Sequence, residues 1–162
     1  MFLYLIRHGK AAGAAGYPSD EARPLTADGV EEMRRVARRL GKLGVRFEVV
    51  LFSPLLRARE TASILAETTI AAAIEECAAL APAGTLDEVL AEIGRRHAHG
   101  AERIGLVGHE PSLSEWAGRL AGGSAGCALE LKKGGIIGLE LPDRLPFEGR
   151  ATLFWLTSPK LL

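Results

Sequence analysis

The sequence predicts an α/β fold organised on a parallel sheet, and two observations carry that reading. Short apolar runs rich in branched residues, the kind buried on both faces of a parallel sheet, alternate with stretches of helical periodicity. Three of these runs carry a cation or an imidazole at or just past their carboxyl ends: Arg7-His8-Gly9 before a loop, Ser53-Pro54 with Arg57 at a helix start, and Gly108-His109 before another. In an open α/β sheet, ligands bind beyond the carboxyl ends of the strands, so these junctions are where chemistry is expected.

With 162 residues, 48% of them hydrophobic, the chain suits one core and is short for two; residues 1–162 are read as a single domain. Twenty basic residues balance twenty acidic ones, so no global field draws the protein to nucleic acid or to an anionic membrane. Any basic site must be local. Cys77 and Cys127 suggest no disulfide framework, and no Cys or His spacing is of the metal-ligand kind, so neither metal nor cofactor is expected. The apolar opening is too short for a signal-peptide core and runs into Arg7, and no stretch approaches a membrane span. A cytoplasmic location is the expectation.

Residues 2–6 form the first predicted strand, and the small, glycine-rich stretch 10–18 reads as a loop. Arg23-Pro24-Leu25-Thr26 leads into the first helix. Thr26 suits the N-cap, and Asp28, Glu31 and Glu32 lie near the positive end of the dipole. Val30, Met33, Val36, Leu40 and Leu43 recur at helical spacing, and Gly44 is a fitting stop. The run Arg34, Arg35, Arg38 and Arg39 reads as a solvated outer face, with a partner-binding surface as the alternative.

Residues 47–52 are the second strand. Ser53-Pro54 then reads as a helix start, with serine as cap and proline at the first helical position. Arg57 falls near the first turn, where free amides favour an anion; a plain surface cation is the alternative. Ala58, Thr61, Ala62, Ile64 and Leu65 continue the buried side. Residues 71–75 are a faint, alanine-rich third strand. Thr85-x-x-Glu88 has the form of a capping box ahead of Leu86, Val89, Leu90 and Ile93. His97 and His99 lie past that stripe, as exposed or dipole-complementing groups. Residues 103–107 are another strand, and Ser112-x-x-Glu115 is again capping-box form before Leu113, Trp116, Ala117 and Leu120. After a glycine-rich connection at 122–126, the stretches 129–131, 136–141 and 152–156 read as closing strands. Lys132-Lys133-Gly134-Gly135 and Asp143-Arg144-Leu145-Pro146 divide them.

Arg7 with His8, Arg57 and His109 thus stand at three strand-to-helix junctions. The strands before His8 and His109 need only be neighbours for the two imidazoles to face each other. Two arginines can grip a dianion through planar, charge-assisted hydrogen bonds, and helix N-termini add backbone donors. Such a phosphate site uses neither a GxxxxGK[ST] loop nor an acidic cluster holding magnesium, and the sequence has neither. A neutral imidazole there can attack phosphorus in line, the cations stabilise the equatorial oxygens, and water then releases phosphate. The arginines lower the imidazole pKa and keep it neutral near pH 7. Gly9 adds free backbone dihedrals at the strand tip. Taken alone, Arg7-His8-Gly9 is a weak signal, and a strand-end histidine that merely satisfies a hydrogen bond is the alternative.

Three blocks in this order resemble the histidine phosphatase (phosphoglycerate mutase-like) superfamily: Leu5-Ile6-Arg7-His8-Gly9, Ser53-Pro54-Leu55-x-Arg57-Ala58-x-x-Thr61-Ala62 and Val107-Gly108-His109-x-Pro111-x-Leu113. The chain's shortness, Arg23-Pro24-Leu25-Thr26-x-x-Gly29 and Trp155-x-x-Ser158-Pro159-x-Leu161 resemble its small SixA-type phosphohistidine phosphatase branch. The resemblance implies a three-layer α/β sandwich with a central, mainly parallel sheet flanked by helices. It further implies that His8 is the phosphorylated nucleophile and that Arg7, Arg57 and His109 bind the phosphoryl group. Larger members carry a general-acid carboxylate on an insertion between the arginine and the second histidine. Here that interval is 52 residues, filled by the faint strand and one helix. Glu75 and Glu76 precede a stretch where Leu80, Pro82 and Gly84 resemble the small branch's Leu-x-Pro-x-Gly turn. No general acid is assigned, and Glu110 is the first candidate.

The expected function is a metal-independent phosphatase that works through a covalent phosphohistidine on His8. An open site without a lid suits a phosphorylated protein side chain, in particular protein phosphohistidine. The alternatives are a phosphatase of small phosphorylated substrates and a non-catalytic phosphate-binding module. Mutase activity is disfavoured, since no lid holds an intermediate while it reorients.

Overall fold

A computed structural model describes residues 1–68, 70–143 and 146–162. Among them, β1 (Phe2–Arg7), β2 (Val49–Phe52), β3 (Ile74–Glu76), β4 (Arg103–Gly108), β5 (Ile136–Glu140) and β6 (Thr152–Thr157) form one sheet in the order β3-β2-β4-β1-β5-β6. The first four run parallel, while β5 pairs antiparallel with β1 and β6 antiparallel with β5.

Strand alternation builds two cores, because successive side chains point to opposite faces. Leu3, Leu5, Leu51, Ile104 and Leu106 meet α3 (Leu86–Ala98) and α4 (Ser112–Gly122) through Val89, Ile93, Leu113 and Leu120. Tyr4, Ile6, Val50, Phe52 and Val107 meet α1 (Ala27–Lys42) and α2 (Leu56–Glu67) through Met33, Val36, Leu40 and Leu65. The result is the expected three-layer sandwich with a mainly parallel sheet. No described helix is long and apolar enough to cross a membrane.

Two helix starts follow the sequence reading. Thr26 Oγ1 accepts from the Gly29 amide at 3.0 Å, and Thr85 and Glu88 complete a reciprocal capping box. Two others differ. Ser53 does not cap α2, which begins at Leu56 behind an N-cap, Leu55, with no side-chain bond. The Ser53 amide still donates to Val107 O at 3.0 Å, so the residue prolongs the strand pairing. Ser112 does not cap α4 either. Glu110 does that work, accepting from the Ser114 amide at 3.2 Å and from Ser114 Oγ at 2.6 Å.

Among the strands, Phe47 makes only an isolated bridge with Ala71, which shortens β2 and leaves β3 at Ile74–Glu76. Residues 129–131 are not a strand, because the Leu131 carbonyl accepts from Arg7 Nη1 at 2.8 Å instead of joining a ladder. Leu43 lies beyond the end of α1 and is exposed. Arg34, Arg35 and Arg38 lie on the exposed side of α1, paired with Glu67, Glu32 and Glu31. His97 and His99 point their Nδ1 atoms at the Ala101 and Arg95 carbonyls around the α3 terminus. Arg144 and Leu145 of the predicted turn before β6 lie outside the described residues.

The loop leaving β1 lies tightly on the start of α1. The Thr26 amide donates to Lys10 O at 2.9 Å, and a Cβ at Gly29 would stand 2.2 Å from that same oxygen. Alanine for glycine inside a helix ordinarily stabilises by about 1 kcal/mol. Here backbone has no room to give, so Gly29→Ala is expected to destabilise by about 1–3 kcal/mol, the range of overpacked sites. A lowered urea midpoint is the expected readout; an equal or raised midpoint would contradict the close docking of this loop.

Candidate active site

Adjacency of β1 and β4 decides where the site forms. Their parallel register sets Arg7 opposite Gly108, so the two chains leave the sheet side by side. The His8 amide donates to Gly108 O at 3.2 Å, and the His8 and His109 rings stand 5.1 Å apart between centroids, tilted by 54°. β2 lies on the other side of β4 and delivers Ser53 and the start of α2. Arg57, second residue of α2, reaches His8 with its Nε 3.3 Å from Nε2. On the β5 side, Gly134 N donates to both the Arg7 and His8 carbonyls at 3.1 Å. All four residues singled out in the sequence therefore converge, and His8, Arg57 and His109 are each under a tenth exposed.

Hydrogen bonding orders the His8 ring. Its Nδ1 lies 2.7 Å from Gly9 O, and a carbonyl can only accept, so Nδ1 carries the proton. Nε2 is left with its lone pair, facing the Arg57 Nε–H. The Gly9 amide donates to Thr61 Oγ1 at 3.1 Å, and Thr61 Oγ1 donates to Arg57 O at 2.8 Å, tying the strand tip to α2. Gly9 serves packing more than dihedral freedom, since a Cβ there would lie 2.7 Å from Met33 Cγ.

Among the described residues, two buried side-chain nitrogens have no hydrogen-bond partner: Arg7 Nε and His109 Nδ1. Buried polar groups are nearly always satisfied, so two orphans, one on the ring 5.1 Å from His8 and one on the residue before His8, point to a ligand that completes them. His109 Nε2 is already engaged with Ser53 Oγ at 2.8 Å.

The sequence reading missed two neighbours. Ser53 holds His109 where a helix cap was expected. Asp20, in the glycine-rich loop region, takes Arg57 Nη1 on its carbonyl at 2.7 Å and Nη2 on its carboxylate at 2.8 Å, while Arg23 Nε donates to the other carboxylate oxygen at 2.8 Å. The spacing of Asp20 and Arg23 was the available signal, being a common i,i+3 ion pair. Asp20 holds the guanidinium by its far edge and leaves Nε toward His8. The hydrogen bond from Arg57, followed by that from Arg23, holds the Asp20 carboxyl below the usual carboxylate range, which makes it a poor proton donor near neutrality.

Both imidazoles are kept neutral. Burial is the largest cause for His8, helped by His109, Arg57 and Arg7 against the Gly9 hydrogen bond, and its pKa falls to about 3. His109 falls to about 4, again chiefly by burial, then Arg57, with Asp20 opposing. The sequence reading assigned this effect to the arginines; desolvation leads and the arginines add to it. No group of three or more His, Cys, Asp or Glu among the described residues is placed to hold a metal ion.

Comparison with known proteins bears on the family and the fold. The family model of the histidine phosphatase superfamily (branch 1) matches residues 3–103. An uncharacterised protein of Picosynechococcus sp. is 47% identical over 163 residues, covering 100% of this chain and 99% of its own. The phosphohistidine phosphatase SixA of Escherichia coli is 32% identical over 124 residues, 76% of each chain. A solved structure of the protein histidine phosphatase SixA complexed with tungstate superposes with a TM-score of 0.86 at 27% identity, covering 99% of each chain.

The depressed imidazole pKa values make a stability prediction. Unfolded histidines titrate near about 6.5, well above the folded values, so between pH 6.5 and 5 the unfolded chain takes up protons the folded one refuses. Stability therefore falls as pH is lowered through that window, by up to about 1.4 kcal/mol per pH unit for each site. Urea titrations of the wild type and of His8→Asn/His109→Asn should show a distinctly shallower fall in the variant. Parallel slopes would contradict neutral, desolvated imidazoles.

Proposed function

This chain belongs to the histidine phosphatase superfamily, branch 1, and on that premise we propose that it hydrolyses phosphohistidine on proteins, in the cytoplasm and without a metal, through a covalent phosphohistidine on His8. The observation that carries the reading is the pairing of an unprotonated imidazole nitrogen, His8 Nε2 facing Arg57 Nε, with two orphaned buried nitrogens. In the proposed reaction, phosphoryl oxygens take Arg7 Nε, the Nε edge of Arg57 and His109 Nδ1. His8 Nε2 attacks phosphorus in line while the bond to the leaving group breaks. The two arginines and His109 stabilise charge on the equatorial oxygens. Water then displaces His8 from phosphorus, releasing phosphate and restoring the free imidazole. The likeness to the Escherichia coli relative named phosphohistidine phosphatase supports the substrate class.

Leaving-group chemistry supports it as well. A serine or sugar alkoxide needs a positioned proton donor near pH 7, an effect of about 10²–10⁴-fold. Asp20 is held ionised by Arg57, and Glu110 is committed to the start of α4. A phosphohistidine ring can itself be protonated and so departs as neutral imidazole, with no enzymic acid.

The expected outcome is a preference for phosphohistidine over phosphoserine of at least about 10²-fold in kcat/KM, with aryl phosphates between them. Purified protein assayed on matched peptides without added metal measures it. Equal rates on phosphoserine and phosphohistidine would contradict the substrate assignment and turn attention to Glu110→Gln in search of an acid.

A further inference from the structure

A groove of about 460 Å³ opens beside the site, sharing Arg7 with it and lined further by Lys132, Lys133, Lys160, Pro159 and Glu32. Four cations face one carboxylate there, in a chain whose formal net charge is zero. Glu32 is itself paired with Arg35, and Lys132 is paired with Glu130. Lys133 and Lys160 are exposed and have no carboxylate partner among the described residues. A concentration of positive charge of this kind attracts and orients an anion.

The lysines are held in register with His8. Gly134 N donates to the carbonyls of Arg7 and His8, and Gly135 N closes the turn on Lys132 O at 2.8 Å. Gly134 has φ of +68°, and a Cβ there would lie 2.9 Å from Met33 Sδ and 3.0 Å from Pro159 Cγ. The turn is thus clamped between α1 and the Ser158-Pro159-Lys160 segment, and both lysine-bearing segments have a fixed place beside the strand tip.

Building on the phosphatase reading, we propose that this groove binds a second anionic group of the substrate, carried as acidic side chains next to the phosphohistidine on a partner protein. The lysines are point charges on flexible stems and do not converge into a fork of fixed donors, which suits scattered carboxylates on a protein surface better than one enclosed phosphate. Their contribution is uniform binding and steering. It belongs in KM and weakens with salt.

The test compares two phosphohistidine peptides that differ only in flanking Glu against flanking Gln, together with phosphoramidate. Wild type is expected to favour the Glu peptide roughly tenfold in kcat/KM, through KM, since exposed ion pairs each change affinity by about 1.4- to 5-fold. The preference should vanish in Lys133→Glu/Lys160→Glu and fade as salt is raised to about 0.5 M. Turnover of the Gln peptide and of phosphoramidate by the variant should stay within about twofold of wild type. No preference in wild type, or equal losses on all three substrates in the variant, would overturn the proposal, as would a stronger preference for a small bisphosphate than for the Glu peptide. Binding of the unphosphorylated Glu peptide, followed by NMR at the Lys133 and Gly134 amides, separates the two claims. If wild type hydrolysed no phosphohistidine, the phosphatase reading would fail while that binding still supported the groove; absence of the binding would overturn the groove alone.

Discussion

Parallel hydrogen bonding between β1 and β4 is the constraint on which the rest depends. Because the strands run the same way and pair from Phe2 with Arg103 to Arg7 with Gly108, their carboxyl ends finish level. An antiparallel partner in that place would set the second histidine at the far end of the sheet. The buried runs Leu3-Tyr4-Leu5-Ile6 and Ile104-Gly105-Leu106-Val107 secure the register, since both faces of the sheet are covered by helices. The juxtaposition of His8 and His109 rests on this hydrophobic arrangement several residues away.

Around the strand tips the protein sets cations beside imidazoles and yet keeps those imidazoles neutral. Desolvation does most of this, so the same burial that excludes water also preserves the lone pair on His8 Nε2. Arg57 is restrained from behind by Asp20 and in front faces His8, and Thr61 joins its helix to Gly9. A guanidinium held by its far edge has lost most of its rotational freedom before any anion arrives, which is preorganisation in the electrostatic sense.

Much of this was legible in the sequence, and the exceptions share one cause. Residues 2–6 and 103–107 read as strands because an apolar run has only one economical place in an α/β protein, and Thr26 and Thr85 read as caps because their partners are three residues away. Arg7, His8 and His109 were found because each sits at the end of such a run, and Arg57 because it falls in the first turn of the helix that follows one. Ser53 and Ser112 carry the same cap pattern locally, but tertiary contacts outweigh it. Ser53 is held by Val107 and turned toward His109, and Glu110 takes the bonds expected of Ser112. Residues 129–131 have strand composition, yet the Leu131 carbonyl is claimed by Arg7, 124 positions earlier. Asp20 lies in a loop whose position no periodicity specifies. Local patterns were readable; contacts between distant segments were not.

The central claim is that His8 becomes covalently phosphorylated during turnover. Rapid quench with isotopically labelled phosphohistidine substrate should trap an acid-labile, base-stable adduct on the peptide containing Arg7-His8-Gly9, formed and consumed at rates matching turnover. Label found only on His109, or undiminished turnover by His8→Ala, would contradict the account.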